Sequence, residues 1–109
     1  MDWRVKRVME DLESANGVSV QTLAESVGLS TSRLQHIFKR EAGLTIGQYI
    51  THVKLDRACQ YLLKTDQPIK RICSDSGFSD PSNFVRLFRK YRGQTPSEFR
   101  KLNRSRFDQ

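Results

Sequence analysis

The sequence predicts an all-α protein of about seven helices, and three observations predict it. Apolar residues recur at spacings of three and four along most of the chain, with no stretch of period-two alternation that would mark a strand. Gly (6) and Pro (3) are sparse, and Gly28, Gly43, Gly77 and Gly93 fall between the periodic segments, where they punctuate helices instead of breaking them. The chain also repeats itself at an offset of 49, and then of 50 after one inserted residue. Val20 matches Ile69, Leu23 Ile72, Ala24 Cys73, Gly28 Gly77, Leu29 Phe78 and Ser30 Ser79; beyond the insertion Leu34 matches Phe84, Ile37 Leu87, Phe38 Phe88, Gly43 Gly93, Thr45 Thr95 and Tyr49 Phe99.

Taken in order, Val5, Val8, Met9 and Leu12 stand at helical spacing and predict a first helix from Trp3 to Ser14. Ser19 is placed to cap a second, with Val20, Leu23, Ala24 and Val27 as its inward stripe and Gly28 as the left-handed residue that ends it. Ser30 caps a third, whose inward face is Leu34, Ile37 and Phe38 and whose outward face is Thr31, Ser32, Gln35, His36, Lys39 and Arg40. Thr45 and Gln48 then form a capping box. It opens a connecting helix to about Thr65, with Ile46, Tyr49, Ile50, Val53, Leu55, Ala58, Cys59, Leu62 and Leu63 as a wide apolar surface.

The second copy follows the same plan. Pro68 starts a helix with Ile69, Ile72 and Cys73 inward, and Gly77 ends it. Asp80 and Pro81 are an N-cap and first-turn pair, after which Phe84, Leu87, Phe88 and Tyr91 point inward and Ser82, Asn83, Arg86, Arg89 and Lys90 outward. A second capping box, Thr95 with Glu98, opens the last helix. The aromatic residues Trp3, Phe38, Tyr49, Phe78, Phe84, Phe88 and Phe99 are expected to be core or packing residues.

Composition narrows the function. At 109 residues the chain is one small domain or two very small units, which excludes large multidomain enzyme architectures. There is no long apolar span and no basic-then-apolar leader, so a cytoplasmic protein without membrane contact is expected. Cys59 and Cys73 lack C-x-x-C pairing and, with His36 and His52, match no metal-ligand spacing, so they read as core residues and neither metal nor cofactor is expected. Gly28, Gly43, Gly77 and Gly93 sit in no phosphate-loop arrangement. Without a nucleophile beside a base or paired carboxylates, no enzyme is expected.

A net charge of +7 favours a polyanionic partner, and residues 1–53, with six basic and six acidic side chains, contribute none of it. The excess sits late, in Arg86, Arg89, Lys90, Arg92, Arg100, Lys101, Arg104 and Arg106 against Glu98. Two short helices around a glycine turn, the second polar outward, describe a helix-turn-helix, whose second helix enters a DNA major groove. The chain carries two copies of it. They divide it into a first subdomain (1–44), a connecting helix (45–65) and a second subdomain (66–109). About 20 residues of helix span about 30 Å, close to the distance of about 34 Å between successive major-groove segments on one face of a duplex, so one monomer would cover two half-sites.

On this reading Ser32, Gln35 and His36 in the first unit, and Ser82, Asn83 and Arg86 in the second, contact bases. Gln35 and Asn83 suit adenine and Arg86 suits guanine. Thr31, Lys39, Arg40, Arg89 and Lys90, together with helix N-termini, contact phosphates. The rival reading is a helical interaction module that binds an acidic protein. Such a surface more often carries Leu, Met or aromatic anchors, which are absent from positions 31, 32, 35, 36, 82, 83 and 86.

The stretch GFSDPSNFVRLFRKYRGQTPSEFRK (Gly77 to Lys101) resembles the AraC/XylS family of bacterial transcription regulators. LAESVGLSTSRLQHIFKREAGLTIGQYI (Leu23 to Ile50) and KLDRACQYLL (Lys54 to Leu63) are similar to that family's first helix-turn-helix and connecting helix, and the resemblance covers about residues 5–102. It implies either a short single-domain regulator or the DNA-binding domain of a longer one, binding double-stranded DNA near a promoter and touching RNA polymerase as an activator. As this chain it is expected to be a monomer, and a dimer where a further domain joins it.

Overall fold

The computed structural model describes residues 1–14 and 17–107, with side chains described as far as Arg104; the Arg106 side chain lies outside the described residues. Among them the chain forms seven helices: α1 (Trp3–Ser14), α2 (Val20–Ser26), α3 (Thr31–Ala42), α4 (Ile46–Lys64), α5 (Ile69–Asp75), α6 (Pro81–Arg92) and α7 (Pro96–Phe107). No described segment is a strand, and none of the helices is long and apolar enough to cross a membrane.

Every helix but α5 begins where a local side chain takes an orphan N–H. The Thr22 N–H donates to Ser19 Oγ at 3.1 Å, the Arg33 N–H to Ser30 Oγ at 3.1 Å, and the Ser82 N–H to Asp80 Oδ1 at 3.1 Å. Both capping boxes close reciprocally: Gln48 N–H donates to Thr45 Oγ1 and Thr45 N–H to Gln48 Oε1, and Glu98 and Thr95 repeat the pair. Pro68 differs from expectation by one position. It is the residue before α5, not its first, and supplies no side-chain cap.

The chain folds as two compact units, Met1–Val53 and Lys54–Gln109. The first has a core of Val5, Val8, Leu12, Leu23, Ala24, Val27, Leu34, Ile37, Phe38 and Ile46. The second has Leu55, Ala58, Leu62, Ile72, Cys73, Phe84 and Phe88, with Phe78 and Phe99 packed against them. In both, the helix-turn-helix turn is closed by the same bond: Leu29 N–H donates to Ala24 O at 2.9 Å, and Phe78 N–H to Cys73 O at 3.0 Å. That closure needs a left-handed residue just before the donor, met by Gly28 (φ 73°) and Gly77 (φ 103°). A Cβ on Gly77 would also meet the Lys54 side chain at 3.2 Å.

The repeat extends to ring geometry. Phe38 and Tyr49 meet edge to face at 5.6 Å and 72°, and Phe88 and Phe99 at 5.5 Å and 72°. One aromatic expectation fails: Trp3 is 65% exposed. It opens α1, and the buried stripe of that helix, Val5, Val8 and Leu12, runs along another face.

Candidate nucleic-acid interface

In α3 the buried stripe is Leu34, Ile37 and Phe38, each at most 1% exposed. Helical spacing then turns Thr31, Ser32, Gln35, His36, Lys39 and Arg40 to solvent, and all six are exposed. Arg33 is exposed among them and was not in the expected set. The signal is its spacing, since a cation three residues before His36 shares that residue's face.

In α6, Phe84 and Phe88 are fully buried and Ser82, Arg86, Arg89 and Lys90 are exposed. Asn83 is half-buried and engaged: an Arg86 guanidinium N–H donates to its Oδ1 at 2.6 Å. Lys90 rests its ammonium 5.2 Å from the centre of the Tyr91 ring. The two helices are not equivalent at their starts. Ser30 leaves the N-terminus of α3 without a formal charge, whereas Asp80 places a carboxylate at that of α6, where Pro81 also removes an N–H. Both end in cations, Lys39 and Arg40 in α3, Arg89, Lys90 and Arg92 in α6.

The late cluster of basic residues divides on inspection. Arg92 is paired with Asp56 at 2.7 Å. Arg100 donates to the carbonyls of Leu62 at 3.2 Å and Thr65 at 3.1 Å, and Arg104 to Thr65 O at 2.9 Å and Asp66 at 2.7 Å. Arg100 and Arg104 therefore serve the carbonyls at and just beyond the end of α4, so the late basic residues are not all exposed charge. The exposed cations of α6 are Arg86, Arg89 and Lys90.

Among the described residues no group of three or more His, Cys, Asp or Glu is arranged to hold a metal ion. Burial pushes the thiols of Cys59 and Cys73 up, away from the reactive thiolate. The geometry is that of two polar and cationic helix faces, each mounted on an apolar core by a glycine turn.

Residues 23–102 match the family model described as a helix-turn-helix domain. The chain is 34% identical over 96 residues to the probable transcription factor PqrA of Proteus vulgaris, an alignment covering 88% of this chain and 79% of PqrA. The chain belongs to the AraC-type family of helix-turn-helix transcriptional regulators. This AraC-type domain is also 35% identical to the Msm operon regulatory protein of Streptococcus mutans, over 90% of its own length. There it spans only 35% of the relative, so the chain covers about a third of some curated proteins that it matches. Among solved structures, an AraC-type regulator from Chromobacterium violaceum superposes with a TM-score of 0.85 at 28% identity, covering 90% of this chain and 89% of that one. The DNA-binding domain of AdpA, solved with a target DNA, shares the fold with a TM-score of 0.79 at 23% identity, covering 98% and 95%.

Proposed function

We propose that the chain is a sequence-specific, double-stranded-DNA-binding transcription activator that inserts α3 and α6 into adjacent major-groove segments. The observation that carries this reading is the outward chemistry of both helices: hydroxyl, amide, imidazole and guanidinium groups over a buried apolar stripe, with no large apolar anchor among them. Of the exposed large hydrophobic residues, Met1 precedes α1, Trp3 lies on α1 and Leu102 on α7, and none is on α3 or α6.

In this reading Ser32, Gln35 and His36, with Ser82, Asn83 and Arg86, form the set of residues that faces the bases. Gln35 offers both halves of its amide to adenine and Arg86 its fork to guanine, each worth about 1 to 3 kcal/mol of discrimination. Thr31, Lys39, Arg40, Arg89 and Lys90 hold phosphates and set register. Residues 1–44 and 66–109 act as the two reading subdomains, and 45–65 links them. Support for the spacing comes from α4, whose 19 residues in one helix measure about 28 Å. The chain acts without a cofactor, as a monomer in the cytoplasm, through DNA and RNA polymerase, and carries out no catalysis.

Selection from a pool of random duplexes tests this. The protein is expected to enrich a defined motif, and Gln35→Ala together with Arg86→Ala to abolish the enrichment. A pool that stays unenriched, or a motif that survives the double substitution, would overturn the reading.

A further inference from the structure

Asn83 and Arg86 stand three residues apart on α6, the spacing that brings two side chains together on one helical face, and the guanidinium donates to Asn83 Oδ1 at 2.6 Å. Arg86 is exposed and Asn83 half-buried, so the amide is the better anchored of the two. An amide that recognises adenine uses its oxygen to accept from N6 and its nitrogen to donate to N7. With one lone pair of Oδ1 engaged by Arg86, the amide oxygen is aimed at the guanidinium and not at an adenine N6, while the guanidinium keeps further N–H groups for a base edge.

The first unit has no such pair. Its corresponding positions are Arg33 and His36, and its reading amide, Gln35, corresponds to Val85, which is partly buried against the second core. The middle of the outward α6 face thus carries one long reading group and one short buttress beside it.

We propose that Asn83 is a positioning residue that acts through Arg86: it holds the guanidinium fork toward guanine O6 and N7 and selects no base of its own. This rests on α6 being a DNA-reading helix. An arginine already held gives up less rotamer freedom on binding, and that saving corresponds to a factor of about 2 to 10 in affinity for the correct base.

The test measures base preference position by position on the selected duplex for the full chain and for Arg86→Ala, Asn83→Ala, Asn83→Asp and the Asn83→Ala/Arg86→Ala pair, with thermal melting of each. Arg86→Ala identifies the position that loses its guanine preference. Asn83→Ala is expected to weaken preference at that same position by about twofold to tenfold, leave the other positions unchanged, and add nothing further once Arg86 is gone. Asn83→Asp, which keeps the acceptor, should retain the guanine preference while overall affinity falls through added negative charge. Relaxation at a different position in either Asn83 variant would overturn the assignment, as would an Asn83→Ala that leaves the Arg86 position intact or weakens every position equally. Failure of the parent protein to enrich any duplex would instead remove the DNA-binding reading, and this assignment with it.

Discussion

Arg89 and Arg104 carry the same side chain, stand fifteen residues apart in sequence, and are separated in role by what they touch. Arg104 bonds the Thr65 carbonyl and Asp66, whereas Arg89 is exposed in the last turn of α6. Arg104→Ala should lower thermal stability by about 1 kcal/mol, the usual net value of such a bond, and leave the salt dependence of DNA binding unchanged. Arg89→Ala should do the reverse: melting unchanged, and the slope of log affinity against log salt smaller in magnitude by about 0.9 for the one lost phosphate contact. Neither outcome was legible in the sequence, because Arg86 through Arg104 count alike by composition and only tertiary partners tell them apart. The outward-facing residues of α3 and α6 were legible for the opposite reason. Leu34, Ile37 and Phe38, and Phe84 and Phe88, fix which way each helix turns, and the outward positions follow from helical geometry alone.

At the scale of elements, the two capping boxes form a matched experiment. Both close the same reciprocal bonds, but Gln48 is neutral where Glu98 is a carboxylate. The backbone and side-chain bonds from Thr95, with a smaller contribution from Arg89, hold the Glu98 carboxyl below its ordinary value. A depressed carboxyl stabilises the fold above its unfolded value, and that contribution is lost as pH falls through the folded one. Melting temperature measured from about pH 5 down to about pH 3 should therefore fall more steeply in the parent protein than in Glu98→Gln, whose box matches that of the first unit; parallel curves would show that the charge contributes nothing. Packing gives a larger effect. Phe38→Ala or Phe88→Ala removes a fully buried ring and its edge-to-face partner and should cost about 3 to 5 kcal/mol in chemical denaturation. Caps and turns could be read in advance because their partners lie within about five residues. Trp3 was equally legible: two residues before Val5 it falls off the Val5, Val8 and Leu12 stripe, and only its aromatic character argued for burial.

For the molecule as a whole, the charge is uneven, with residues 1–53 neutral and the entire +7 beyond them. If six phosphates are neutralised, log affinity should fall with log salt at a slope of about five in magnitude; a slope near zero would remove the electrostatic part of the account. The central claim is that one chain carries two working DNA readers built on one plan. Hydroxyl-radical footprinting on the selected duplex tests it most directly. The account predicts two protected tracts on the same face of the DNA, about 10 base pairs between their centres, with Gln35→Ala weakening one and Arg86→Ala the other. A single tract of about half a site, weakened by only one of the two substitutions, would contradict it.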